Sequence, residues 1–430
     1  MKRYETYKDS GIQWWEEIPT HWDLKKAKHI FSLVTENVSD SSLPKIALEN
    51  IESWTGKYIE TDSDFMGEGV EFKKDDILFG KLRPYLAKVY KAEFAGQAVG
   101  DIYVFRGNEE QNPEYLKYLL LSYPFISVVD GSTYGAKMPR ANWDFISHLV
   151  LPCPPKTEQV TIAAFLDRKV GQIDAAIAEK EQMLEDLKAY RSAIISEAVT
   201  KGLDKNVEMK DSGVEWIGMI PKHWNINKLK FFADISTGTT PSTDNEEYWK
   251  EPTENWYTPS DFCKENVHLE TSSRKVSTTA FQESACRVFK KDVVLVVGIG
   301  ATLGKIGISS VECSANQQIN AIEFYDNVYP LFGAYYLSSL KEVMKSLASA
   351  ATLAIMNQSV TGSIPFVCPT LDEQKEIADY LEKKTKSIGS LLNQIEVQID
   401  ELKSYKSALI TEAVTGKIDL REWKPKVENV

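Results

Sequence analysis

The sequence predicts an α+β protein: two globular mixed α/β blocks joined by two long antiparallel coiled-coil helices, a tandem duplication with pseudo-twofold symmetry. Three observations carry this. The stretch Glu158–Asp204 recurs without a gap as Glu373–Asp419, 215 residues later. Both copies hold an apolar period of 3.5 residues, the pattern of a coiled-coil seam. The short Trp-rich segment Asp9–Trp22 (DSGIQWWEEIPTHW) recurs as Asp211–Trp224 (DSGVEWIGMIPKHW), 202 residues later. A lead-in segment, a block and a long helix therefore occur twice, and the second block is 13 residues longer.

The seam runs through Leu166, Val170, Ile173, Ile177, Leu184 and Leu187 in the first copy. In the second it runs through Leu381, Ile388, Leu392, Ile395, Ile399 and Leu402. Lys180 interrupts the first stripe where Ile395 stands in the repeat. Neither copy contains Pro, so each is expected to run as one helix of roughly 40 residues, on the order of 60 Å long. A helix with one apolar stripe needs a partner for it, and the other copy is the natural one.

The expected organisation is a first block at 1–150, a first spacer helix at 151–204, a linker and second block at 205–366, a second spacer helix at 367–420, and a tail at 421–430. In the first block an apolar-alternating run begins at Lys45–Ile51, and strands are expected at Asp76–Phe79, Asp101–Arg106 and around Phe145–Leu151. A helix is expected over Pro113–Val129, with Pro at its start. In the second block the matching strands are Val293–Val297 and Asn320–Tyr325, and the matching helix is Leu331–Ala348. Ala351–Asn357 reads as a polar loop, and the tail past Leu420 as mobile.

The chain has 430 residues, enough for two to four domains, with a net charge of −12 and pI near 5.2. That charge alone weighs against nucleic-acid binding, although the local charge decides. No apolar run is long enough to span a bilayer, and the start MKRYETYKDS lacks the apolar core of a signal peptide. The five cysteines (Cys153, Cys263, Cys286, Cys313 and Cys368) are scattered and never form a CxxC pair. They read as buried small hydrophobes in a reducing, cytoplasmic setting. The five histidines form no metal-binding pattern, and His21 and His223, each preceding Trp, read as packed structural corners.

The loop Gly298–Lys305 (GIGATLGK) resembles a phosphate loop but fails its count: five residues separate Gly298 from the Gly-Lys pair, and Ile306 follows. It reads as a tight turn or as a loop facing nucleic acid. No G-x-S-x-G elbow is present, nor an NPPY- or DPPY-type tetrapeptide for gripping a flipped base, so no reaction is assigned to this chain.

Basic and amide side chains on loops suit phosphate and base-edge contacts. The first block offers Lys81, Arg83 and Lys88 on Gly80–Lys88, and Lys137, Arg140 and Asn142 on Gly131–Asn142, with Tyr85 and Tyr134 among them. The second offers Lys305, Gln317, Gln318, Asn320, Asn357 and Gln358. Each alone reads as a solvated surface residue. Their equivalent placement in two blocks favours DNA binding.

The motifs in order are specific. WEEIPTHW and WIGMIPKHW are followed by ALENIESWTGKY (Ala47–Tyr58), ILFGKLRPYLAKV (Ile77–Val89), TGTTPS (Thr237–Ser242), GATLGKIGI (Gly300–Ile308) and SANQQINAI (Ser314–Ile322). The joins PCPPKTEQ (Pro152–Gln159) and CPTLDEQ (Cys368–Gln374) complete the set. Over essentially its full length the chain resembles the DNA-specificity subunit of Type I restriction–modification systems.

The resemblance implies two target-recognition domains, each reading half of a split site on double-stranded DNA, with the two helices as spacer. It implies a non-catalytic chain that binds no cofactor itself. It would dock two modification (methyltransferase) subunits, which use S-adenosylmethionine, and restriction subunits, which use ATP and Mg. Base-contacting residues do not transfer one by one, because such domains diverge where they read DNA. Lys156-Thr157, where an apolar–acidic pair such as Leu371-Asp372 is commoner, would touch helix capping only. The competing reading from the residues is a coiled-coil protein–protein adaptor with two ligand-binding lobes.

Overall fold

The structure, a computed structural model, describes residues 2–12, 14–38, 43–61, 65, 68–133, 137–262, 266–348 and 355–424. The chain forms two compact units, Met1–Lys180 with Gln398–Val430, and Glu181–Val397. Each combines one block with part of each long helix. Positions 425–430 of the expected tail at 421–430, Tyr134, Cys263 and the loop positions 351–354 lie outside the described residues.

The first unit opens on a hairpin, Tyr7–Ile12 with Trp15–Pro19. Its block holds an antiparallel sheet in the order Phe31–Val34, Ile102–Gly107, Ile77–Gly80, Val89–Lys91. A second sheet of short strands runs Asn37–Val38, Gly69–Phe72, Gly96–Ala98, Lys45–Ile46, the last pair parallel. Ile77 and Phe79 are buried, as are Leu78 and Val104, because this sheet is covered on both faces.

The second unit repeats the plan. Its main sheet runs Ala233–Thr237, Ile319–Phe324, Val293–Val297, Ile306–Ser309, His268–Leu269. Every residue of Val293–Val297 is buried, as the unbroken apolar run requires. Lys275–Val276, Glu254–Tyr257 and Ser314–Ala315 form a smaller sheet.

In each unit the block begins and ends on one antiparallel strand pair. Asp23–Lys26 pairs with Val150–Cys153, and Asn225–Lys228 pairs with Pro365–Cys368. The block thus leaves the frame and returns to it at a single place.

The first long helix is Lys156–Lys201 and the second is Leu371–Val414. In the first unit they run antiparallel, with Asp174 opposite Lys406 and Lys180 opposite Gln398. In the second unit Ile195, Ala198 and Val199 share a core with Ile377, Ala378 and Leu381. Of the seam residues, Leu166, Val170, Ile173, Ile177, Leu184, Leu381, Ile388, Leu392, Ile395 and Ile399 are buried. Leu187 and Leu402 are half-buried. Lys180 turns its ammonium to the Gln398 side-chain oxygen at 2.7 Å. Gly202 and Gly416, at φ 76° and 75°, lie just past the helix ends, where a left-handed residue closes the last turn.

Three elements differ from expectation. Pro113–Val129 is two helices, Pro113–Leu121 and Tyr123–Gly131, broken at an extended Ser122. Pro124 has no N–H for a continuing helix and its ring would clash with the preceding turn. Phe145–Leu151 is not one strand: Trp143–His148 is helical, and the strand is Val150–Cys153. The Asn142 side chain accepts from the Asp144 N–H and starts that helix. Leu331–Ala348 is likewise divided, at Leu340, into Pro330–Ser339 and Lys341–Leu347.

Candidate nucleic-acid interface

Each long helix is held at its start by the Glu–Gln pair of its join. Glu158 accepts from the Trp22 indole N–H at 3.0 Å and the Tyr4 hydroxyl at 2.9 Å, with His21 Nε2 at 2.6 Å. Glu373 accepts from the Trp224 indole at 3.1 Å, with His223 Nε2 at 2.9 Å. Its other oxygen accepts from the Thr370 N–H and hydroxyl at 3.0 and 2.7 Å, a capping box. Pro155 stands where Thr370 does in the repeat, and in that copy the Tyr4 hydroxyl is the extra donor.

Burial acts to raise the Glu373 carboxyl, but donors on Thr370, Trp224 and His223 outweigh it and bring it down to about 2. Burial, with Glu158 beside it, pushes the Tyr4 phenol well above its ordinary range.

The adjacent glutamines face the other way, into the blocks. Gln159 accepts from the Asn112 N–H at 2.8 Å and donates to the Pro154 carbonyl at 2.9 Å. Gln374 accepts from the Tyr329 N–H at 2.7 Å and donates to the Pro369 carbonyl at 3.0 Å. Both side chains are buried with both ends satisfied. A third tie is the Tyr118 hydroxyl on Asp167 at 2.8 Å, matched by Tyr335 on Glu382 at 2.9 Å. In the first unit Asp174 also binds Lys57 at 2.9 Å and Lys406 at 2.7 Å. Burial opposes its charge, but the two ammonium groups hold its carboxyl below the usual range.

On this frame the first block brings its two basic loops together. The Arg83 N–H donates to Pro139 at 2.8 Å, Ala141 donates to the Lys81 carbonyl at 2.8 Å, and Leu82 bridges Arg140. Arg140 forks onto Asp101 at 3.1 and 3.0 Å. Lys81 lies 3.8 Å from the same carboxylate and 5.3 Å over the Tyr103 ring. Arg83 and Lys137 are exposed, and among the described residues neither side chain has a hydrogen bond or ion pair. Arg83 has φ 51°, which sets the turn that carries it.

The second block makes the same edge from the matching segments: Ile299 bridges Ile355, and the Met356 N–H donates to the Gly298 carbonyl at 2.7 Å. Gln317 accepts from the Thr240 hydroxyl at 2.5 Å, Gln318 accepts from the Asn316 amide at 3.0 Å, and Gln358 donates to the Thr237 hydroxyl at 2.9 Å.

Four selected residues are engaged inside the blocks. The Lys88 ammonium donates to the carbonyls of Leu48 and Ile51, each at 2.7 Å, and Lys305 donates to that of Phe262 at 2.7 Å. Asn357 caps the helix Gln358–Ser363, as Asn142 caps its own. A fifth, Asn320, is 3% exposed and bonds Met356, Thr361 and Thr237. Lys88→Met is expected to lower stability by about 1–3 kcal/mol, because two carbonyls lose a charged donor. Thermal unfolding with a DNA-binding titration checks this. A lost sequence preference at an unchanged melting temperature would place the ammonium on DNA instead.

One cluster has no counterpart among the residues selected from sequence. The Arg274 guanidinium lies over Trp249 and Trp256 in the second block. Its sequence carries little local signal: Trp249 and Trp256 stand 25 and 18 residues before Arg274, and only the fold brings them to it. Among the described residues no group of His, Cys, Asp or Glu could hold a metal, and no helix is long and apolar enough to cross a membrane.

The family model for the Type I restriction modification DNA specificity domain matches residues 30–186 and 221–401. The chain is 22% identical to the putative type I restriction enzyme MjaX specificity subunit of Methanocaldococcus jannaschii, over 96% of this chain and 98% of that protein. It is 28% identical to the MjaIX specificity subunit of the same organism, over 43% of this chain and 44% of that one, so this match spans less than half of the relative.

Among solved structures, one described as the structural basis of complex assembly and conformational transition of the type I R-M system superposes with a TM-score of 0.74. It is 17% identical, over 93% of this chain and 99% of that one. The HsdS subunit from Thermoanaerobacter tengcongensis superposes at 0.52 and 17% identity, over 93% and 98%.

Proposed function

Because the chain belongs to the Type I restriction–modification DNA specificity family, we propose that each of its blocks reads one half of a split, asymmetric site on double-stranded DNA. The observation that carries this is the two-loop edge built twice from matching segments, Leu82 to Arg140 and Ile299 to Ile355. The first edge presents basic groups and the second presents amides, so the side chains differ between them. Arg83, Lys137 and Arg140 serve the first half-site. Gln317, Gln318 and Gln358 serve the second.

The chain is the non-catalytic subunit of its complex. The outer faces and ends of the long helices dock two modification subunits, which bring S-adenosylmethionine, and restriction subunits using ATP and Mg join that assembly in the cytoplasm. The acidic net charge fits a scaffold whose partners add phosphate contacts. The adaptor reading is not favoured by the family.

Titrating the chain with its modification subunit against specific and scrambled duplexes over a range of salt tests the function. Both affinities should fall with salt, and a specific advantage of about 10³-fold or more should persist. Equal binding at every salt concentration would contradict it.

A further inference from the structure

We propose that Arg274 is a specificity-determining residue of the second block, a guanidinium held ready for the edge of a guanine in the second half-site. This rests on the reading of the chain as a split-site DNA-recognition subunit.

The Arg274 Cζ lies 5.0 Å from the centre of the Trp249 ring and 5.2 Å from that of Trp256. The two indoles meet edge to face at 5.6 Å and 89°. Both are fixed: the Trp256 N–H donates to the Thr239 carbonyl and the Trp249 N–H to that of Ser242, each at 3.0 Å. Trp256 is itself buried beside Val276, Ala280 and Cys286. The Arg274 backbone is fixed too, since its carbonyl accepts from the Ser272 hydroxyl at 2.6 Å and Lys275 begins a strand. A long side chain that normally loses much rotamer freedom on binding is thus partly ordered beforehand.

Its donors are free. Among the described residues the guanidinium makes no hydrogen bond and no ion pair, and the residue is exposed. Arg140 in the first block differs, with its Nε and Nη2 donors on Asp101. Arg274 lines an open cleft of about 440 Å³ with Thr243, Glu246, Trp249 and Lys250.

The cleft is also tied to the recognition edge through one segment. The segment Thr239–Ser242 that holds both indoles carries Thr240, whose hydroxyl bonds Gln317 on that edge. A stacked guanidinium leaves its planar N–H fork open, and the O6 and N7 acceptors of guanine match that fork.

The test uses the intact chain bound to its modification subunit, the specific duplex, and duplexes carrying each single base-pair change. Arg274→Met keeps an apolar stem over the indoles. It should weaken specific binding by about 10- to 100-fold and abolish the penalty at one G·C pair of the second half-site. Penalties at other positions, and the melting temperature, should be unchanged. Arg274→Lys should lose part of that discrimination, because a small rotating ammonium that does not stack replaces a planar fork held over the rings.

A uniform loss at every position, with a salt slope smaller by about one, would assign Arg274 to a phosphate and overturn the proposal. An unaltered profile, or a change in the first half-site, would also overturn it. If Arg274→Met melts lower, Arg274→Lys decides, since it keeps a cation over the rings, and discrimination there as strong as the parent's is contradictory. A parent chain that binds specific and scrambled duplexes alike overturns the split-site reading itself.

Discussion

Exchanging the segment Asp23–Val150 for the block of another specificity subunit is expected to replace one half-site and leave the other unchanged. The reason is geometric. The block leaves the frame and returns to it along one strand pair, Asp23–Lys26 with Val150–Cys153. An exchange at that pair leaves Trp22, Glu158 and Gln159 in place, so the helix start and its ties to the frame are kept. The incoming block must supply an N–H for Gln159, as Asn112 does, and a hydroxyl for Asp167, as Tyr118 does.

Tyr329 and Tyr335 make the same two contacts in the second block, so the requirement is general within this chain. Each mismatched pair costs about 1–3 kcal/mol, so the hybrid should bind the original site about 10³-fold or more weakly and the hybrid site at full strength. Competition binding with the four combinations of half-sites reads this out. Changes in both half-sites, or in neither, would contradict two independent readers.

Trp22→Ala and Trp224→Ala should be the most damaging single substitutions in the frame. The two indoles are 0% and 1% exposed. Truncating a fully buried Trp costs about 3–5 kcal/mol, through lost transfer and the cavity left behind. Here Glu158 or Glu373 also loses a donor at the first turn of a long helix. Trp22→Phe separates the two effects: it keeps most of the buried area and loses the hydrogen bond to a charged group, worth about 1.5–3 kcal/mol. Trp216→Ala is the control, since that indole is 44% exposed, and it should change stability by about 0.5 kcal/mol or less. Denaturant unfolding measures all four. A Trp22→Ala chain as stable as the parent would show that the corner does not hold the frame.

Much of the frame was legible because it repeats. A seam such as Ile388, Leu392, Ile395 and Ile399 shows its period in the residues themselves, and a Trp kept at both lead-in segments marks a corner. The Glu–Gln joins were visible as motifs, but their division of labour was not: Glu158 reaches back to Trp22 while Gln159 reaches into the block, and only the fold brings those partners together. The helix break at Ser122 could have been read from Pro124.

The candidate edge was legible as paired loops and less so as individual side chains. Lys88 and Arg83 look alike in sequence. One is spent on the carbonyls of Leu48 and Ile51, and the other is free. Asn320 and Gln317 differ in the same way, since the first is buried beneath the edge and the second lies on it. A polar residue's partners come from long-range contacts that no local pattern encodes. Arg274 was missed for the same reason, because Trp249 and Trp256 reach it across a strand pairing.

Methylation mapping of the DNA of a host that carries this chain together with its modification subunit tests directly whether the two blocks read one split site. One new motif is expected, split by a spacer of fixed length, asymmetric between its halves and methylated on both strands. No new motif, or a single uninterrupted one, would contradict it.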